Sequence, residues 1–318
     1  MQQSPSPGEE DTYGYMKKFF LSFAVAMTAI SLSAQTEEEF KSQYEMQVKA
    51  MGISGMGVEY IIKKWEAAYP GSADVQEAKF NYYLNASKYE KVISRDQPRF
   101  MGEAPIMTLP DKDGSTVNYF NETFYHDELF GVAMKAIDRA VELRPSELAY
   151  RFEKITALLE YEKEWPEMAT DELIRLIDYN AADKPSWEAR GEAVDEDYFV
   201  ESIQEYCYAF FKIASNGSYE SFRVVSEKMS KLYPSNTVFL SNLGSYWLVA
   251  KDSRATALKY YKKVLKINPK DYSAIKNCVL MARKEKNTKM EKQYLPLLIE
   301  VTDSPSERMS AEARLKML

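Results

Sequence analysis

Histidine is nearly absent from this chain: His126 is the only one in 318 residues. Zinc sites and histidine-based catalytic triads therefore lack their usual donors. Cysteine occurs twice, as Cys207 and Cys278, with no Cys-x-x-Cys anywhere. Paired-thiol redox chemistry is excluded with it. The 12 glycines form no phosphate-cradling loop. Past residue 32 no apolar run is long enough to span a bilayer. Asp111-x-Asp113-x-Ser115, with Glu122 at the twelfth position, imitates a calcium loop. Its glycine stands fourth rather than sixth, and Pro110 occupies the place of the entering helix. Adjacent acids such as Asp195-Glu196-Asp197 read as helix-start partners rather than a hydrolytic pair. Neither a cofactor nor a metal is expected, and catalysis is not.

What is present is recurrence. Trp65-x-x-x-Tyr69-Pro70, Ala140-x-x-Leu143-Arg144-Pro145, Met229-x-x-Leu232-Tyr233-Pro234 and Val264-x-x-Ile267-Asn268-Pro269 each place an apolar residue five before a proline. Ala133 and Ala257 both lie twelve before theirs, and Pro234 and Pro269 are 35 apart. Proline cannot continue a helix, so each motif marks a helix end. Apolar residues at helical spacing predict helices over 37–51, 57–69, 73–89, 127–143, 147–162, 166–179, 198–214, 219–232, 237–249, 254–267, 272–284 and 289–302. Pro296 is expected to interrupt the last of these.

The stretch Leu243-Gly244-x-x-Trp247, then Ala257-x-x-x-Tyr261-x-x-Val264, then Pro269, resembles one tetratricopeptide repeat, whose period is about 34 residues. Gly244 and Ala257 are small enough for two antiparallel helices to approach, and Leu243, Trp247 and Tyr261 fill the space between them. The resemblance implies an all-α solenoid of antiparallel helix pairs, about five to six repeats with the first ones degenerate, that binds a protein or peptide without catalysis. In that family the first helices line a groove. Carried over, the lining is Val238, Ser241, Ser245, Leu248 and Val249 from one repeat, and Ser273, Lys276, Leu280, Arg283 and Lys284 from the next. Such a mixed apolar and basic lining suits an extended peptide with an acidic or carboxylate end. Of the Lys and Asn clamp of the chaperone-binding members, only Asn242 matches; the other slots fall on Cys207, Phe211, Ser273 and Asn277. Both cysteines would lie on first helices two repeats apart, too far to bridge.

The expected organisation is an upstream extension at 1–15 and a signal peptide at 16–34. Degenerate helices follow at 35–96, then an insertion at 97–126 with a short β-hairpin. Central helices occupy 127–184, a linker 185–197, the C-terminal repeats 198–303 and a polar cap 304–318. The leader rests on Met16-Lys17-Lys18, the apolar run from Phe19 to Leu32, and Ser33-Ala34 as the cleavage point. No cysteine stands there to take a lipid. It implies a periplasmic or secreted protein that is not embedded in a membrane, with nucleic acid excluded as a partner.

Charge is segregated. Residues 160–205 hold fifteen acids against four bases, and residues 251–292 hold thirteen bases against four acids. Within a stacked solenoid these stretches form distinct surfaces. A second reading is a glycan- or ligand-binding module that uses the aromatic surplus and the 97–126 insertion. A third, carboxylate chemistry, has nothing in the spacing that demands it. Gly102-Glu103-Ala104-Pro105 resembles the opening of thioredoxin-fold peroxidases, but the reactive cysteine those proteins need does not follow.

Overall fold

The computed structural model describes residues 35–318. The extension and leader expected at 1–34 lie outside the described residues. Thirteen helices and five short strands occur among them. The chain divides into two compact units at Pro70.

The first unit contains α1 (Glu37–Met51) and α2 (Val58–Ala68). Thr36 and Glu39 close a capping box at the start of α1. Phe40, Val58, Ile62 and Trp65 form the buried side of this pair. The Trp65 indole donates to Glu37, and the Tyr69 hydroxyl to the Gln35 carbonyl at 2.9 Å.

The second unit starts at Gly71. It runs α3 (Ala73–Ser87), β1 (Lys88–Arg95), β2 (Met107–Pro110), β3 (Thr116–Tyr125), α4 (Asp127–Leu143), α5 (Leu148–Glu162) and α6 (Glu167–Asp183). There follow β4 (Glu188–Ala189), β5 (Glu192–Ala193), α7 (Glu196–Ile213), α8 (Asn216–Leu232), α9 (Thr237–Val249), α10 (Arg254–Ile267), α11 (Tyr272–Lys284), α12 (Thr288–Val301) and α13 (Pro305–Met317). Consecutive helices pack in pairs, α3 on α4, α5 on α6, α7 on α8, α9 on α10 and α11 on α12, and α13 closes on α12. This is an all-α solenoid of stacked helix pairs.

The recurrent prolines explain where helices stop. Tyr69, Arg144, Tyr233 and Asn268 are the C-caps of α2, α4, α8 and α10, and each precedes a proline. Their φ values lie between −122° and −131°. The following pyrrolidine ring disfavours the α region at that residue, so the helix cannot run on. New helices then start on capping side chains: Asp195 for α7, Ser215 for α8, Asn236 for α9 and Asp271 for α11. Pro296 does not interrupt α12, which runs through it. Pro296 and Lys292 are both exposed. The bond that proline removes is therefore on the exposed side of the helix, where its loss costs least.

The insertion is larger than a hairpin. β2 and β3 form the hairpin around Asp111–Ser115, and β1 pairs antiparallel with β3 from Lys88↔Tyr125 to Arg95↔Asn118. The sheet therefore starts at Lys88, where the expected helix still ran. Val92-Ile93 favours a pleated strand there. The segment expected as a linker holds the β4–β5 hairpin and buries Trp187, whose indole donates to Asn180 at 2.7 Å.

Burial is continuous from pair to pair. One cluster runs from Ala73 to Tyr246 and a second from Ala257 to Ala311, and Trp247 packs against both. Phe199, Phe210, Phe239, Leu243, Tyr246, Ala257, Tyr261 and Val264 are all buried. Each fully buried large side chain contributes about 1.5–3 kcal/mol. Both thiols are free and buried on α7 and α11. α9 and α10 approach closely at Gly244, where a Cβ would stand 2.6 Å from the Tyr261 ring. Gly131, in α4, has nothing within 4 Å of that position. Gly244→Val should therefore lower stability by about 1–3 kcal/mol through overpacking. Gly131→Ala should raise it by about 0.5–1 kcal/mol through reduced backbone entropy. Urea unfolding of the two variants measures both; equal effects would contradict the close packing at Gly244.

Candidate interaction groove

The first helix of each pair lies beside the first helix of the next, and side chains tie them together. Tyr206 on α7 is 2.8 Å from the Thr156 hydroxyl and donates to the Phe152 carbonyl, both on α5. Asn242 on α9 donates to Gln204 on α7 at 2.8 Å. Thr237 on α9 donates to Asp271, the N-cap of α11, at 3.0 Å. Tyr272 and Lys276 on α11 reach Glu307 on α13 at 2.9 and 3.1 Å. This order leaves one side of each first helix turned away from the buried residues.

Helical spacing decides which residues occupy that side. On α9, Phe239, Leu243 and Tyr246 point into the core, which leaves Val238, Ser241, Ser245, Leu248 and Val249 opposite. On α11, Ala274, Ile275, Cys278, Val279, Met281 and Ala282 are buried, which leaves Ser273, Lys276, Leu280, Arg283 and Lys284. Val238 is 41 % exposed, Val249 50 % and Leu280 49 %. Ser241, Ser245 and Leu248 are half-buried; the Ser245 hydroxyl shares a hydrogen bond with Tyr261, and Leu248 packs against the second core cluster. Asn242 lies inside, held by Gln204 and Ser226. Lys276 is paired with Glu307, and Arg283 with Glu291 at 3.1 Å. Lys284 is exposed and takes part in no ion pair among the described residues.

The same face continues onto α7, where the expected groove lining placed no residue. Phe199, Ile203, Cys207 and Phe210 are buried, so Glu201, Glu205, Tyr208 and Lys212 lie opposite. Tyr208 is 61 % exposed. The acidic composition of 160–205 was visible, and the spacing of 201, 205 and 208 could have placed these residues on one side of a helix. Which side faces out depends on packing against α8.

Both irregular segments dock at the ends of these first helices. The insertion meets the C-terminal ends of α5 and α7. Lys212 on α7 pairs with Glu103 at 2.8 Å, and a Cβ on Gly102 would stand 2.5 Å from the Lys212 carbonyl oxygen. Glu122, 6 % exposed, is held by Arg95 at 3.0 Å and by Lys163. Lys88 and the Tyr125 hydroxyl both reach Glu160 on α5. A cavity of about 580 Å³ opens between the sheet and α5, lined by Phe100, Phe120, Tyr125, Lys88, Glu160 and Lys163 among others. His126 caps nothing with its side chain at the start of α4 and packs against Tyr89.

The β4–β5 hairpin meets the N-terminal end of α5. The buried Glu147 carboxylate accepts from the backbone N–H groups of Arg190 and Gly191 at 2.9 and 3.0 Å. The Arg190 guanidinium bridges Glu77 on α3 and Glu153 on α5. Burial pushes the Glu153 carboxyl up to about 7, the Glu77 charge adds to this, and Arg190 opposes it. The folded chain keeps a proton that the unfolded chain, with a value near 4.5, gives up earlier. The resulting stability is complete below pH 4.5 and is lost as pH rises through 7. The urea midpoint should therefore fall between about pH 5 and pH 8 by more in the parent than in Glu153→Gln. Equal slopes for the two proteins would remove Glu153 as the source.

No protein-family model matches the sequence, and a search of curated proteins returns no significant relative. Several solved structures align with the chain, among them these two. One, from a functional characterization of Pseudomonas aeruginosa pilF, is 19 % identical, covers 58 % of this chain and 74 % of that one, and has a TM-score of 0.38. The other, the flexible tandem repeat domain of a bacterial cellulose synthase, is 14 % identical, covers 89 % and 96 %, and has a TM-score of 0.27. The stacked-pair architecture rests on the packing of this chain's own helices.

Proposed function

We propose that this protein is a non-catalytic scaffold that holds an extended segment of a protein partner across the first-helix face of α7, α9 and α11. One observation carries the reading: Tyr208, Val238, Val249 and Leu280 are exposed on adjacent first helices, where each could as well have carried a charge. Exposed apolar side chains on neighbouring helices supply the contact area that a partner can bury. The rim adds direction to this. At the α11 end Arg283 and Arg314 share the single carboxylate of Glu291, and Lys284 stands free, so positive charge is in surplus for an acidic residue of the partner. No helix among the described residues is long and apolar enough to cross a membrane. The basic leader and apolar run at 16–34 support export to the periplasm or the medium as part of this reading.

Val249→Asp with Leu280→Asp places two charges on the apolar face without touching the buried side of either helix. Affinity capture from the periplasmic and secreted proteins of the source cells should yield a partner with the parent protein. The double variant should lose it, while its circular dichroism and urea midpoint match the parent. A partner retained by the double variant would place the binding site elsewhere.

A further inference from the structure

The first-helix face changes sign along the solenoid. On α7, Asp197, Glu201 and Glu205 follow at intervals of four and are exposed. None of the three takes part in an ion pair among the described residues. On α9, the next helix along, the face is uncharged: Val238, Ser241, Ser245, Leu248 and Val249. On α11 it is positive. Arg283 and Arg314 approach Glu291 at 3.1 and 2.8 Å, two guanidiniums to one carboxylate that is 1 % exposed, and Lys284 is free. Lys276 is neutralised by Glu307 and adds nothing net.

We propose that the occupant of this face is an extended polypeptide segment with basic residues over α7, apolar residues over α9 and acidic residues over α11. The segment therefore lies in one direction only. This rests on the scaffold reading given above and adds the sequence class of the partner. The physical ground is complementarity at both ends. In the reverse direction the ligand's acids would meet Asp197, Glu201 and Glu205, and its bases would meet Lys284 and the shared arginines. Like charges brought together in this way penalise the wrong orientation, in addition to the attraction that favours the right one. The apolar middle supplies contact area without choosing a direction.

The spacing of the ligand follows from the fold. Packed helices lie about 8–10 Å apart, so the α7 and α11 stations are separated by roughly 20 Å. An extended chain covers about 3.3 Å per residue. The basic and acidic blocks of the partner should then be about six residues apart, with apolar residues between them.

The test is selection of a displayed library of random sixteen-residue peptides on the full chain, followed by affinity measurement on two variants. These are Glu201→Lys with Glu205→Lys, and Val249→Asp with Leu280→Asp. Selected sequences are expected to carry a basic and an acidic block about six residues apart in one fixed order. Their binding should weaken at least tenfold on the first variant and vanish on the second. Peptides that vanish on the second variant but bind the first unchanged would overturn the two-signed recognition and leave the scaffold reading standing. A library that yields nothing dependent on either variant would overturn both. Sedimentation of the free protein covers the remaining occupant. A concentration-dependent dimer lost on Glu201→Lys with Glu205→Lys would assign the face to a second copy of this chain and overturn the peptide proposal.

Discussion

Close approach of paired helices, permitted by small residues and filled by aromatic rings, is the constraint from which the second unit follows. Gly244 lies against the Tyr261 ring with no room for a methyl group. Ala257 is wholly buried on the facing helix, and Trp247 bridges to the neighbouring core. A pair packed this way still has one apolar flank to cover, and only the next pair can cover it. The outcome is a row of helices in which the first helix of each pair presents one side to solvent beside the first helix of the next. That repeated side is the surface to which the proposed partner binding is assigned.

Several polar groups of the stack are satisfied by links between helices. Asn242 joins Gln204 and Ser226, and Thr170 joins Ser221 at 2.7 Å. Glu220 collects Tyr246, Arg223 and Lys251, and despite the cost of burial these hydrogen bonds hold its carboxyl down at about 2. Glu291 is taken up by two arginines. Removing the arginines from Glu291, which is 1 % exposed, would leave a buried charge uncompensated, which costs more than the pairs themselves contribute. The links thus fix the register of one pair against the next, and with it the order of charges along the exposed face.

The two irregular segments are placed with the same economy. The sheet and the β4–β5 hairpin each dock on the ends of first helices through charged pairs, Lys212 with Glu103 and Arg190 with Glu77 and Glu153. They border the faces of α5 and α7 and leave α9 and α11 open. The uninterrupted apolar and charged surface therefore runs from α7 toward the C-terminal end.

The sequence by itself determined the helix pairs. The proline positions end helices through a local clash, and 3.6-residue periodicity marks the inward side whatever surrounds it. Of the residues that this reading put outward on α9 and α11, Val238, Val249, Ser273, Leu280, Arg283 and Lys284 are exposed, Ser241, Ser245, Leu248 and Lys276 are half-buried, and Asn242 is buried. Periodicity was not enough for α7, whose acidic residues were legible only as composition. It was not enough for Lys276 either, whose charge is spent on Glu307, or for Arg283, which shares the Glu291 carboxylate with Arg314. Strand β1 was also hidden, because a run such as Lys88-Tyr89-Glu90-Lys91 suits a helix end and pairs as a strand only once β3 lies beside it. Tertiary structure decided which charges remain free and which faces stay open. Both are properties of neighbours that are distant along the chain, and local pattern carries no record of them.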